Sequence, residues 1–297
     1  MDHGYIGALK MKPLQFVGKD EPLNTMQGLT LRPSAIAIAR RTFVGRKLFG
    51  RAVTFVPPET QTYQYSKLAE MSHARTDPKY PGKENLDILS EEVTPVNIPI
   101  HHKEFVIPKA DLDASRMTGI PLNTKYSDAA TYQVGLQEDD IIINGNSVIP
   151  GLYSGAGNSE ASNLHWSTAT NIPLSIKAAK ILLAADHMYK PYNLLINPQE
   201  DESLDAFVAN TAIRWREKVL DSIGGEIFVS EAIAAGTGLM MKAEPINMAE
   251  LVIARDLTIE TEEETLRDGG GLFGRCFIRD LPVIMQSNAI CQMTDIE

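Results

Sequence analysis

The sequence predicts an α+β fold organised around one long helix that follows a cap at Asn123 or Thr124 and runs to about Ile143. Apolar side chains recur in this stretch at the period of a helix, which predicts a wide apolar stripe. The stripe comprises Tyr126, Ala129, Ala130, Tyr132, Val134 and Leu136. Strand-like residues 98–107 precede the helix, and more strand-like segments lie near the end of the chain. A helix that bridges strands from distant parts of a chain is a structural spine, not the wall of a pocket.

Composition sets broad limits on the class of protein. The 297 residues are enough for one large domain or two modest ones. A hydrophobic content of 43% and a charged content of 22% are ordinary for a globular protein. The net charge of −10 argues against a dedicated nucleic-acid binder with a basic face, although a protein that encloses nucleic acid stays open.

Neither a membrane span nor a secretory signal is expected. Every apolar run is shorter than the ~18 to 20 residues that a membrane-spanning helix needs. The first residues lack a cationic start followed by a continuous apolar core. Cys276 and Cys291 have no metal-binding spacing, and their strand-like apolar surroundings predict buried free thiols in a reducing cytoplasm.

Residues 1–33 predict an extended N-terminal arm, because prolines and glycines interrupt them throughout. Such an arm cannot bury its apolar side chains on itself. It therefore either docks on a neighbouring subunit or on cargo, or it is a disordered terminus. The side chains expected to make intersubunit arm contacts are Tyr5, Ile6, Leu9, Phe16 and Val17.

Residues 34–51 predict an N-terminal helix with an unusual concentration of positive charge. It carries five cations and no acid in a chain that is acidic as a whole. These cations are Arg40, Arg41, Arg46, Lys47 and Arg51. One interpretation is a solvated face paired with acids of a neighbouring subunit. The other is contact with enclosed anionic cargo or nucleic acid.

Residues 52–97 predict a long two-stranded excursion, because strand-like alternation is interrupted by turn signals at Pro57-Pro58, Asp77-Pro78 and Tyr80-Pro81-Gly82. A two-stranded structure is marginally stable alone in water and needs a partner surface. This feature therefore indicates oligomerisation.

The remaining elements alternate between helix and strand. A short helix is expected at 110–117, a second long helix from Ile172 to about Tyr189, and two further helices at 202–211 and 214–223. Strands are expected at 192–197, 226–230, 249–259 (one bent strand or a pair), 272–278, 281–285 and 289–293.

The sequence offers no convincing catalytic, cofactor-binding or metal-binding constellation. His101 and His102 fall on a strand, where neighbours point to opposite faces and cannot easily share one ion with Glu104. The acids at 138–140 diverge around a helix, so capping or intersubunit ion pairing is expected of them. His165-Trp166 lies in a loop and is a weak candidate for ligand stacking.

Several patches in one order resemble a known family. They are residues 39–47, the stretch from Ile98 to Leu152, residues 192–198, 227–231, 256–257 and 287–291. Together they resemble shell proteins of the Hong Kong 97 phage capsid fold, which include tailed-virus major capsid proteins and encapsulins. The resemblance covers roughly residues 34–297.

The resemblance implies a Hong Kong 97-like division of the chain. The implied parts are an N-terminal arm (1–33), an N-terminal helix (34–51), an extended loop (52–97), a peripheral domain with the spine helix (98–191), an axial domain (192–265) and C-terminal strands that return to the peripheral domain (266–297). Many copies would close into an icosahedral shell with no cofactor and no membrane partner.

The leading functional interpretation is a non-enzymatic viral or proviral capsid protein that encloses DNA in a virion. The alternative is an encapsulin, a cytoplasmic nanocompartment shell that encloses a cargo enzyme. Encapsulins usually begin with the amphipathic helix and use it to hold the cargo enzyme's tail peptide, whereas this sequence has about 33 residues before that helix. A distant alternative is an enzyme on an unrelated α+β fold.

Overall fold

The computed structural model describes residues 43–68, 91–118, 125–161, 163–264 and 271–296, which form an α+β fold as predicted. The helices are α1 (Gly45–Phe49), α2 (Lys109–Thr118), α3 (Lys125–Ile143), α4 (Ile172–Ala185), α5 (Pro198–Leu204) and α6 (Trp215–Ile223). The strands are β1 (Val53–Phe55), β2 (Thr62–Leu68), β3 (Glu91–Asn97), β4 (His101–Pro108), β5 (Asn158–Glu160), β6 (Tyr192–Ile196), β7 (Gly224–Val229), β8 (Gly238–Lys242), β9 (Ala249–Glu264), β10 (Gly271–Ile284) and β11 (Ile290–Met293).

These strands form two larger sheets and one hairpin-like pair. The first sheet has the order β1-β9-β10-β4 and is antiparallel apart from the parallel pair β1–β9. The second sheet has the order β5-β11-β8-β6-β7, with a parallel pair at each edge. β2 and β3 pair antiparallel, which confirms the predicted two-stranded excursion.

The predicted spine helix is confirmed as α3, but its predicted stripe is only partly buried. Ala130 and Val134 lie in the core, whereas Tyr126, Tyr132 and Leu136 are between 37% and 42% exposed. The face that packs on β4 and β10 is lined mainly by small and polar side chains. Its buried members include Ser127, Ala130, Thr131, Val134, Gly135 and Glu138. Small side chains let the helix approach the sheet closely, so the larger ones remain on its outer side.

Strand β10 joins two segments that the sequence predicts as separate strands. Its pairing with β9 continues through register shifts between Phe277 and Asp280. Such a bulge accommodates an interruption of the apolar alternation without ending the strand. Asp280, next to this irregularity, lies in the interior and is 1% exposed.

Two predicted helices need correction, and β8 is an additional strand. The helix expected at 202–211 is instead α5, which begins earlier because Pro198 can occupy the first turn and the Asn197 side chain accepts a hydrogen bond from the Gln199 N–H at 3.0 Å. α4 ends at Ala185, before the expected Tyr189. β8 carries no polar alternation because it is the central, buried strand of its sheet.

Helix α1 lies where the two sheets meet. Leu48 and Phe49 of α1 are fully buried in one cluster with Leu239 of β8 and Leu251 of β9. Of the predicted helix at 34–51, residues 34–42 lie outside the described ranges, as does the arm at 1–33. The described part contains a helix that begins at Gly45, where the N–H groups of Val44 and Gly45 donate to a side chain of α3.

Candidate functional site

Three of the five predicted contact cations are described. Lys47 is exposed, and the Arg51 side chain is 83% exposed with its Nε 3.9 Å from Glu244 Oε1. Arg46 points into the protein instead, as set out below. Arg40 and Arg41 lie outside the described ranges, together with the predicted arm contacts Tyr5, Ile6, Leu9, Phe16 and Val17.

Arg46 joins α1 to two distant elements of the same chain. Its Nε donates a hydrogen bond to Glu138 Oε1 on α3, and its Nη1 donates to Asp256 Oδ1 on β9 at 2.8 Å. Burial lowers the pKa of Arg46. The carboxylates of Glu138 and Asp256 raise it by a larger amount, so the net shift of the pKa is upward. The guanidinium therefore stays charged and acts as an internal cross-link.

Asp280 forms the deepest part of this arrangement. It is 1% exposed and lies near Glu138, which is itself 6% exposed. Burial raises the pKa of Asp280 well above its usual range, and the negative charge of Glu138 raises it again, while Arg46 acts in the opposite direction. Burial and the neighbouring carboxylate therefore both favour the protonated form of Asp280.

His101 of β4 completes the group. Its Nε2 lies 3.5 Å from Asp280 Oδ1 without a hydrogen bond to a described residue, and the side chain is 8% exposed. Burial lowers the pKa of His101, which favours the neutral ring. We call Arg46, His101, Glu138, Asp256 and Asp280 the acid junction. It ties together α1, β4, α3, β9 and β10, and three of its members have little contact with solvent.

Asp139 makes a second connection between α1 and α3. Its Oδ1 accepts hydrogen bonds from the N–H groups of Val44 at 3.1 Å and Gly45 at 2.5 Å, and its Oδ2 accepts one from Ser230 Oγ at 2.9 Å. The side chain thus caps the start of α1 from a position 94 residues away from Gly45. Burial raises the pKa of Asp139, and these hydrogen bonds partly oppose that rise. The capping role expected for the acids at 138–140 is confirmed at this position.

We expect Asp280→Asn to change how stability depends on pH. The folded protein holds the Asp280 proton more tightly than the unfolded chain does. Asp280 therefore contributes fully to the free energy of unfolding below the unfolded pKa of about 4. That contribution is lost as pH rises from there through the folded pKa. Asn keeps the shape of a protonated Asp and cannot ionise.

The measurement is urea-induced unfolding of both proteins from pH 4 to pH 8. The variant should match the wild type near pH 4 and exceed its free energy of unfolding by an amount that grows with pH. A difference that is constant across this range would contradict proton retention by Asp280. Asp205→Asn, on an exposed carboxylate, serves as the control.

The other sequence candidates lie apart from the acid junction. His165 is exposed in the loop before α4, while Trp166 is buried and its Nε1 donates to Ser175 Oγ at 2.7 Å. Trp166 is therefore a core residue and not a stacking platform. Among the described residues, no group of three or more His, Cys, Asp or Glu side chains is arranged to hold a metal ion.

Both cysteines are buried free thiols, as the sequence predicts. Burial raises the pKa of each thiol, and for Cys291 the nearby Glu160 adds to this effect and brings the pKa to about 12. Cys276 Sγ lies 3.5 Å from Thr131 Oγ1 within the packing between α3 and β10. Neither thiol is activated for nucleophilic chemistry.

Sequence reasoning misses Asp256, Asp280 and Ser230. One signal was available at Asp280, a lone carboxylate inside the apolar run from Leu272 to Ile284. An acid within a buried strand needs a partner, so a buried charge cluster could have been expected there. Asp256 and Ser230 gave no comparable signal.

None of the described helices is both long enough and apolar enough to cross a lipid bilayer.

The sequence matches the Linocin_M18 family, described as "Encapsulating protein for peroxidase", over residues 20–267. The chain is 24% identical over 258 residues to the type 1 encapsulin shell protein EncA of Myxococcus xanthus (strain DK1622), which covers 82% of this chain and 84% of that protein. It is 23% identical over 181 residues to the diheme-cytochrome-encapsulin shell fusion protein of Kuenenia stuttgartiensis, which covers 60% of this chain and 49% of that protein.

Solved structures with the same fold include viral and virus-like shells. The virus-like particle from Pyrococcus furiosus superposes with a TM-score of 0.68 at 14% identity, covering 89% of this chain and 98% of that chain. The capsid of Myoviridae phage XM1 superposes with a TM-score of 0.65 at 10% identity, covering 84% and 92%. The chain therefore has the Hong Kong 97 capsid fold, as its resemblance implied.

Proposed function

Because the chain belongs to the Linocin_M18 family, we propose that it forms the shell of an encapsulin-type nanocompartment that encloses a cargo protein. The family and the capsid fold make the chain a self-assembling shell protein. The contents of the shell, and its location in the cytoplasm, are what we propose.

The family match is the observation that carries this proposal. It extends over residues 20–267, and the family is described by the enclosure of a peroxidase. The Myxococcus relative, an encapsulin shell protein, matches over 84% of its own length. Both the family and this relative favour a protein cargo over a genome. They therefore favour the encapsulin alternative over the viral interpretation that leads in the sequence analysis.

A viral capsid remains the second candidate, with DNA as the enclosed partner and the virion as its location. The likeness to the XM1 phage capsid favours it. At 10% identity, however, that likeness reports on the fold alone, and the fold is common to capsids and virus-like particles.

The proposed arrangement of subunits follows the division implied by the sequence. Residues 52–97 would form the extended loop, residues 192–265 the axial domain around the symmetry axes, and 98–191 with 266–297 the peripheral domain of an icosahedral shell. The pairing of β10 with β4 supports the return of residues 271–284 to the peripheral domain, whereas β11 pairs with β8, which lies within residues 192–265. The β2–β3 pair, with Val93 54% exposed, supports an extended loop that needs a neighbouring subunit.

We propose that the role is structural, without catalysis. His101 and Glu138 are the described residues closest to an acid–base pair, and both are less than 10% exposed. Glu138 pairs with Arg46, and His101 lies beside Asp280, so both side chains already have partners within the subunit. In the proposed shell, Lys47 of α1 and Arg51, which follows α1, are exposed cations that can face the lumen. Lys47→Glu combined with Arg51→Glu should then lower the amount of enclosed cargo without preventing assembly.

The contents of the purified particles test the proposal. The chain is to be expressed together with its neighbouring genes, and the particles are treated with nuclease before protein mass spectrometry and DNA quantification. We expect one protein other than the shell at a fixed ratio and no protected DNA. Particles that protect long DNA and contain no second protein would instead support the viral capsid. Particles of the chain expressed alone are the control for adventitious contents.

A further inference from the structure

The outer face of the spine helix is largely apolar, and within the described structure only its Tyr132 has a ring contact, with Phe43. We define the spine face as Tyr126, Ala129, Tyr132 and Leu136 of α3, all of them exposed. Beside it lies a groove between α3 and β4, whose lining is half apolar and half polar and comprises Phe105, Tyr126, Ala129, Ala130, Lys103, Glu104, Lys125 and Gln133. An exposed apolar face with an adjoining groove of mixed polarity is typical of a surface that binds a chain segment.

The described chain begins at the edge of this face. The Phe43 ring lies on α3, with its centroid 5.6 Å from that of Tyr132. It packs so closely over Gly135 that a Cβ at that position would come within 2.3 Å of the ring. The first described residue therefore lies at a point on α3 that adjoins the spine face, and 42 residues precede it in the sequence.

We propose that the chain's own N-terminal arm, residues 1–33, covers the spine face and its groove. The arm carries bulky apolar side chains that need a partner surface, among them Leu9, Phe16 and Val17. The spine face is an apolar surface that needs a cover. The arm and the spine face belong to one polypeptide, and Phe43 is the point at which the described chain begins beside the face.

Chain length permits this docking. The face extends from Gly135 back to Tyr126, about 13 Å along a helix at a rise of ~1.5 Å per residue. Were the 26 residues that separate Val17 from Phe43 a random coil, their root-mean-square span would be about 28 Å. With the predicted helix over 34–42, the 16 residues from Val17 to Pro33 would still span about 22 Å as a coil. The arm therefore reaches the whole face, at an effective concentration on the order of millimolar. A free peptide or a second subunit would have to compete with this tethered segment.

The inference does not depend on whether the shell encloses protein or DNA. Photo-cross-linking in the full-length chain tests it, with p-benzoylphenylalanine placed at Leu136. The matched control carries the same group at Ile181 of α4, an apolar residue that is 57% exposed outside the spine face. After irradiation, denaturing electrophoresis separates intrachain from interchain products, and peptide mass spectrometry locates the linked residues.

We expect products of monomer mass that link position 136 to residues 1–33, and few such links from position 181. Dimer-mass products that link position 136 to a neighbour's residues would overturn the proposal. So would links to a co-purified protein, or a yield at position 136 no greater than at position 181.

Hydrogen exchange provides a second test. In a chain that lacks residues 1–33, deuterium uptake by α3 should be faster by about tenfold or more than in the full chain, because the cover is lost. Unchanged uptake by α3 in a folded truncated chain would also overturn the proposal.

Discussion

Arg46→Met is expected to lower the free energy of unfolding by about 3 kcal/mol, because it leaves the Glu138 carboxylate buried without its cation. Met fills a similar volume, so the loss reflects charge and hydrogen bonding more than packing. The exposure of Arg46 and Asp256, 34% and 44% for their side chains, keeps the expected loss at the lower end for a buried pair. Urea-induced unfolding at one fixed subunit concentration is the measurement, since assembly adds to the apparent stability.

Arg51→Met is the matched control for this experiment. It removes the same charge from the same segment, but the Arg51 side chain is 83% exposed and its nearest acid is 3.9 Å away. Its effect should be within about 0.5 kcal/mol of zero. Equal effects of the two substitutions would mean that the acid junction contributes no more than an ordinary surface charge.

Asp139→Ala is expected to lower the free energy of unfolding by about 3 kcal/mol as well. The substitution leaves the buried N–H groups of Val44 and Gly45 without an acceptor, and it removes the partner of Ser230. Asp139→Asn retains one acceptor oxygen for the two N–H groups. It should therefore lower the free energy of unfolding by about half as much as Asp139→Ala does. Unfolding by urea is again the measurement.

Asp140→Ala tests whether the effect is specific to the cap. Asp140 is the next residue on the same helix, is half-buried, and accepts a side-chain hydrogen bond from Asn144 at 2.7 Å. Its removal should cost less than about 1 kcal/mol. A loss at Asp140 that equals the loss at Asp139 would contradict a dedicated link between α1 and α3.

Local patterns predicted the spine helix well and its buried face poorly. Apolar side chains occur on both sides of the helix at residues 125–143, so the helix is only weakly amphipathic. That same property hides which side faces the sheet. Ala130 and Val134 pack inward while Tyr132 and Leu136 remain outside, a choice made by the close approach of β4 and β10. Contacts between distant segments decide this, and periodicity carries no information about them.

The acid junction could not be predicted for a related reason. Arg46 appeared as one of five cations on an amphipathic helix, yet its partners Glu138 and Asp256 lie 92 and 210 residues away in sequence. Asp280 lies on the same side of β10 as the buried Leu272, Cys276 and Ile278, and the partner that faces it there comes from α3. Bulges and long-range ion pairs arise from the assembled fold, whereas helix caps and turns arise from neighbours in the chain.

The family-level fold was recognisable because several short patches occur in one order. Those patches include the strand and the spine helix between Ile98 and Leu152, which the structure describes as β4, α2 and α3. The nature of the contents was not recognisable in the same way. Capsids and encapsulins share the physical requirements of a closed shell, and those requirements shape most of the sequence.

Electron microscopy of the chain expressed alone tests most directly whether this protein builds a closed shell by itself. The preparation should be nuclease-treated and imaged at several protein and salt concentrations, since subunit contacts between charged surfaces depend on both. We predict closed particles of uniform diameter. Monomers or dimers alone, at high protein concentration and across the whole salt range, would contradict self-assembly.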